Sequence, residues 1–235
     1  MVLSSIRNCE TGNMIAWSSQ VKSGDSDNLE ARAAAYYWRN MFPSVPDFTR
    51  DRYGCQPNNL LNYGYAILRA VVARALVVNG LLPTLGIHHH NRYNAYCLAD
   101  DIMEPYRPFV DALVVDIFDN SDGFVDLTTS VKSRLLSIPT IDVVIDGCRS
   151  PLMNGVGRTT YSLYKCFSGE SRKLVYPSFN IWVIRWTVAS VNIGLCGCLY
   201  SLTFLPKRSI SASKLQSSAR ILYAMASLCF NSLFI

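Results

Sequence analysis

The chain has 235 residues, half of them apolar, which calls for a globular core in one sizeable domain or one domain plus an appendage. Its net charge of +5 does not argue for a polyanionic partner, because five basic residues and no acidic ones lie in Ser178–Ile235, leaving residues 1–177 neutral. Eight scattered cysteines without a Cys-x-x-Cys pair exclude a zinc ribbon or thioredoxin motif, and Met1–Gln20 lacks the apolar run of a secretory signal, so the cysteines read as ordinary thiols of a cytoplasmic protein.

Residues 1–24 are weakly patterned and read as a linker. Asp25, Ser26, Asp27 and Asn28 are all good helix caps. The alanine-rich stretch 28–42 follows as an amphipathic helix stopped by Pro43. Residues 43–58 carry three prolines and form a polar connection. Residues 59–80 are apolar around most of the circumference, which predicts a core helix closing on Gly80. A short irregular link holds His88, His89 and His90. Residues 96–120 read as a helix bent by Pro105 and Pro108. Two further helices are expected over 127–138 and 150–170, with a β turn or ribbon around Asp146-Gly147 between them. The expected fold class is all-α, with a helical domain over 25–177 and an atypical apolar tail over 178–235.

Three features of this body can carry chemistry. Asp101 and Glu104 are three apart on a predicted helix and share a face, with Asp100 four before Glu104. Carboxylates in an apolar helix repel unless a cation or base sits between them. The triple histidine lies just upstream, and Glu30 sits within the alanine-rich helix. Oxygen ligands with one imidazole suit Mg²⁺ or Mn²⁺ better than a closed zinc site. Each feature also has an ordinary reading: a solvated glutamate, a surface histidine tract, and acids favouring a helix dipole.

Six strings carry a resemblance. SGDSDNLEARAAAYYW, LLNYGYAILRAVVARAL, GLLPTLGIHHHNRYN, LADDIMEPYRPFVD, DGCRSPLMNGVGRTTYSL and KLVYPSF follow one another in the order of the CRISPR-associated "Cas one" integrase and endonuclease family. The chain is most similar to the branch that accompanies a single large effector nuclease, over roughly residues 20–177. The resemblance implies a helical catalytic domain with a divalent metal, Mg²⁺ or Mn²⁺, held by Glu30, His89 and Glu104. Asp101 is then either a ligand or a group supporting one. It implies phosphodiester transesterification that inserts spacer double-stranded DNA into a repeat array, or DNA cleavage when water is the nucleophile. His89 ligates only when neutral, so activity should fall at low pH. Arg69, Arg74, Arg107 and Arg158 are candidate phosphate contacts or ordinary ion-pair partners. The implied partners are a small "Cas two" subunit and a second copy of the chain.

Two departures qualify the resemblance. Family members carry a β-rich N-terminal domain ahead of the helical one. Here the first motif already falls on Glu30, so this chain alone is not expected to form the normal dimeric assembly. Past Phe179 the family pattern stops. Trp186–Leu205 is twenty uncharged residues followed by Lys207 and Arg208, which fits a transmembrane helix. It also fits an out-of-frame reading of the partner gene, since a two-base shift permits a segment similar to that partner's first strand. An active integrase or nuclease, a defective fragment of the same family and a membrane-anchored helical protein therefore all stay open.

Overall fold

The computed structural model describes residues 2–21, 25–121 and 125–179. The apolar tail from 180 onward, with the membrane and out-of-frame readings of it, lies outside the described residues. In the stretch read as a linker, Val2–Arg7 (α1) and Met14–Gln20 (α2) are helical. Val2 and Leu3 are buried, and Arg7 ties α1 down through Asp119 and a 2.6 Å bond to the Met41 carbonyl.

The expected helix over 28–42 is Leu29–Met41 (α3). Its start is set by Asp25, whose carboxylate accepts the backbone N–H of Leu29 and of Glu30, each at 2.9 Å. Ala33, Ala34, Tyr37, Trp38 and Met41 form its buried face. Trp38, Phe42 and Phe48 continue that face into an aromatic cluster, with the Phe42 and Phe48 rings 4.8 Å apart.

The central element is Asn58–Val78 (α4), as its all-round apolarity predicts. Its length and composition alone would let it cross a membrane. In this fold Leu60, Leu61, Leu68, Val72 and Leu76 are instead buried against the helices that follow. Gly64 permits close approach, since a Cβ there would lie 2.6 Å from Val110.

The predicted bent helix over 96–120 is two helices, Cys97–Met103 (α5) and Arg107–Asp119 (α6), joined by one 3₁₀ turn over Glu104–Tyr106. Pro105 and Pro108 remove two backbone donors, which explains the break between them. Thr129–Leu136 (α7) is capped by the Thr128 hydroxyl at 3.3 Å from Val131 N. The long helix Leu152–Phe167 (α8) lies against α4.

The all-α expectation needs one correction. Asp142–Ile145 (β1) and Cys148–Pro151 (β2) form an antiparallel hairpin, with Ile145 paired to Cys148. Its two-residue turn is Asp146-Gly147, with φ of 50° and 76°, the left-handed pair that such hairpins require. Val143 and Ile145 alternate into the core beneath Gly155 of α8, where a Cβ would sit 2.6 Å from Val143. The fold is thus a helical body with one small ribbon.

Candidate active site

The link between α4 and α5 is shaped around a single carboxylate. Asp101 accepts the backbone N–H of Ile87 at 2.5 Å, of His88 at 3.0 Å and of His89 at 3.2 Å. It also pairs with Nδ1 of His89. Burial works to raise its pKa, but these bonds and the His89 imidazole overcome burial and hold the carboxyl below its ordinary value. The arrangement separates three adjacent histidines: His88 and His90 are exposed, whereas the His89 side chain is 11 % exposed and oriented by Asp101. Gly86 is required by the same geometry. A Cβ there would sit 2.2 Å from the His89 carbonyl oxygen and 2.7 Å from Cys97.

One turn after Asp101 the environment reverses. Glu104 opens the 3₁₀ turn and is 5 % exposed, and neither of its carboxylate oxygens accepts a hydrogen bond. Burial raises its pKa to about 8. The Arg107 guanidinium pulls the other way, while Asp100, Asp101 and Asp111 add to the rise. Arg107 Nε lies 3.1 Å from Glu104 Oε1. Of the two readings open for Arg107, phosphate contact or ion-pair partner, the structure favours the second: it is 2 % exposed and paired with Glu104.

Behind that ion pair stands a network that the sequence reading missed. The Arg107 guanidinium lies 4.9 Å from the Tyr65 ring centre, and the Arg50 guanidinium lies 5.4 Å from the same ring. The Tyr65 hydroxyl donates to Asp111, and Tyr37 donates to the other Asp111 oxygen at 2.7 Å. Burial lifts the Asp111 carboxyl to about 6 against the pull of both hydroxyls and of Arg107 and Arg50. One signal was available: Asp111 is an acid inside an otherwise apolar run, seven residues after Glu104.

Glu30 is in the first turn of α3 rather than mid-helix, and it is half-buried. Tyr37, two turns further along α3, ties that helix to α6 through Asp111. The structure joins His89 to Asp101 and puts Glu104 in the adjacent turn. It does not gather Glu30 with them: among the described residues, no three His, Cys, Asp or Glu side chains are clustered as metal ligands. Of the remaining arginines, Arg69 donates to Asp100 at 2.7 Å, Arg74 is exposed, and Arg158 donates to the Ile145 carbonyl at 3.2 Å.

Residues 18–129 match the family described as CRISPR associated protein Cas1. Over 133 residues the chain is 41 % identical to the CRISPR-associated endonuclease Cas1 of Neisseria meningitidis serogroup C (strain 8013), covering 54 % of this chain and 43 % of that relative. It is 33 % identical over 138 residues to a CRISPR-associated endonuclease Cas1 of Pyrobaculum aerophilum, covering 58 % of this chain and 46 % of the relative. The chain thus spans about half the length of the curated relatives it matches. Among solved structures it resembles a casposase bound to an integration product, with a TM-score of 0.58 and 18 % identity over 81 % of this chain and 67 % of that one. At that identity the likeness is one of fold.

Proposed function

Since this chain belongs to the Cas1 family of CRISPR-associated proteins, we propose that its helical body is a metal-dependent DNA endonuclease and integrase site. The observation that carries the reading is Glu104: a buried carboxylate whose oxygens accept no hydrogen bond, one turn from a histidine oriented by Asp101. In kind, oxygen donors with one imidazole and a buried carboxylate that accepts no hydrogen bond suit Mg²⁺ or Mn²⁺. His89 and Glu104 would hold the ion, with Glu30 as the third ligand. Asp101 serves as the brace behind His89 rather than as a ligand, because its lone pairs are already taken by three backbone N–H groups and the His89 ring. Bound there, the ion lowers the pKa of an attacking hydroxyl and neutralises charge on the phosphate.

The chain's own residues supply position. Asp101 fixes the His89 tautomer by accepting at Nδ1, which makes the buried Nε2 the nitrogen that would ligate. Arg107 keeps a positive charge against Glu104 and limits the swing of that carboxylate. With a DNA 3′-hydroxyl as nucleophile, the reaction is transesterification into a repeat. With water it is cleavage. The substrate is double-stranded spacer and repeat DNA, and the partners are the small "Cas two" subunit and a second copy. A second reading, a chain that binds metal and cuts DNA without integrating, is supported by the matched relatives being endonucleases by name.

The test is Mn²⁺-dependent cleavage of branched DNA beside strand transfer into a repeat-bearing plasmid. Cleavage abolished by His89→Ala supports the site. Cleavage without transfer selects the second reading. Equal activity with and without the metal contradicts both.

A further inference from the structure

The helices pack in two groups. α3 lies against α1 and α2, whereas α4 lies against α5, α6, α7 and α8. The proposed ligands are divided between these groups: Glu30 opens α3, while His89 and Glu104 belong with α5 and α6. Whatever sets α3 against α6 therefore also sets Glu30 against the other two. Past the end of α3 the groups meet through apolar rings, with Phe42 and Phe118 5.7 Å apart. Nearer to Glu30 they meet through one carboxylate.

That carboxylate is Asp111, which is fully buried and shared between the groups. Its Oδ2 accepts from the Tyr37 hydroxyl of α3 at 2.7 Å, and its Oδ1 accepts from the Tyr65 hydroxyl of α4. Tyr37 follows Glu30 by seven residues, so the two share a face of α3, about 10 Å apart along its axis. Asp111 follows Arg107 by four residues and shares its face of α6. Arg107 in turn lies 3.1 Å from Glu104. Both Glu30 and Glu104 thus stand ahead of the clasp on their own segments, one through Tyr37 and the other through Arg107.

Stability alone gives no reason for an acid at this position. Taking a carboxylate out of water is costly, and apolar residues of similar volume would close the same gap. What an acceptor shared by two hydroxyls supplies, and an apolar contact does not, is a single geometry. Both bonds form at only one placement of α3, α4 and α6.

We propose that Asp111 is a positioning residue for the metal site: by clasping Tyr37 it sets the register of α3 and so the approach of Glu30 to His89 and Glu104. This rests on the reading of Glu30, His89 and Glu104 as metal ligands. It adds a residue that touches neither metal nor DNA, and it names Tyr37 as the route by which that residue acts.

The experiment joins two measurements on the full chain: Mn²⁺ affinity by EPR titration, and amide hydrogen exchange of the metal-free chain by mass spectrometry. Tyr37→Phe keeps the ring and removes the clasp. It should weaken Mn²⁺ binding about tenfold and speed exchange in the first turns of α3 about tenfold, leaving the β1–β2 hairpin at the wild-type rate. In the Glu30→Gln background, Tyr37→Phe should cost no further affinity, because its route to the metal is already gone. Tyr65→Phe removes a bond from the same carboxylate on the α4 side, and its loss should add to that of Glu30→Gln. If Tyr37→Phe does not fold, Asp111→Asn, which keeps an acceptor for one hydroxyl, takes its place in the cycle. Native Mn²⁺ affinity in Tyr37→Phe, a full loss that persists beside Glu30→Gln, or exchange that quickens equally in α3 and the hairpin would each overturn the proposal. A wild type that binds no Mn²⁺ would remove the metal reading and, with it, the role given to Asp111; the exchange pattern would then show only whether the clasp holds α3.

Discussion

Asp101 and Glu104 are acids three residues apart, and the fold treats them in opposite ways. Asp101 faces a loop and meets four hydrogen-bond donors, so its carboxyl sits below its ordinary value. Glu104 faces the core and accepts no hydrogen bond, so its carboxyl rises to about 8. The same side-chain chemistry therefore gives a fully hydrogen-bonded carboxylate in one place and a buried one without hydrogen bonds, the proposed ligand, in the other. Local donors decide which, more than residue type or spacing.

The comparison breaks most visibly if either proposed ligand is dispensable. His89→Ala or Glu104→Ala should each lower Mn²⁺-dependent cleavage by roughly a thousandfold, measured in single-turnover assays. Asp101→Asn should act at one remove. It keeps the shape of the brace but replaces an acceptor-only carboxylate with an amide that cannot accept all four donors. Mn²⁺ affinity should then fall by about 10- to 100-fold, while circular dichroism stays native. An Asp101→Asn effect as large as that of His89→Ala would make Asp101 a ligand and erase the distinction drawn here.

Two smaller changes sharpen it. Gly86→Ala pushes a methyl group against the His89 carbonyl and should cost about 1–3 kcal/mol in urea denaturation, with cleavage lost alongside because the loop moves. Asp25→Ala removes the acceptor for the first two N–H groups of α3. It should cost about 1 kcal/mol and loosen Glu30 without touching the His89 loop. A stability loss with unaltered cleavage would argue that Glu30 is no ligand.

Much of this was legible in the sequence, and the remainder has physical reasons. The helices α3, α4 and α8 follow from periodicity and stop signals, and the Asp146-Gly147 turn was visible as a turn. The ribbon expected beside it forms as well: three β-branched residues before a left-handed turn make a hairpin even in a helical body, so the fold is mostly rather than wholly α. Position within a helix misled at Glu30, because four consecutive capping residues leave the start ambiguous and only Asp25 reaches the first turn. For Arg107 the sequence left phosphate contact and ion-pair partner both open. Its burial depends on Tyr65 and Glu104 arriving from other elements, which no local pattern encodes. His89 was singled out among three histidines by resemblance, and in the structure its ring pairs with Asp101.

The raised Glu104 carboxyl also fixes a sign. Its folded pKa of about 8 lies above the ordinary value of 4.5. Its contribution to the metal-free fold is therefore fully present below about pH 4.5 and is lost as pH rises through about 8. Asp101 runs the other way: its contribution is present above its ordinary value of 3.8 and is lost in acid. Metal binding needs Glu104 deprotonated, so affinity should climb over the window in which the metal-free fold weakens.

The most direct measurement is an EPR-monitored Mn²⁺ titration of the wild type and of Glu104→Gln between about pH 6 and pH 9, since Glu104 titrates near 8. The account predicts wild-type affinity that rises with pH toward a plateau above 8, and a variant that binds weakly at every pH. Wild-type affinity independent of pH, or a glutamine variant that binds like wild type, would contradict the assignment of Glu104 as the ligand at the centre of this site.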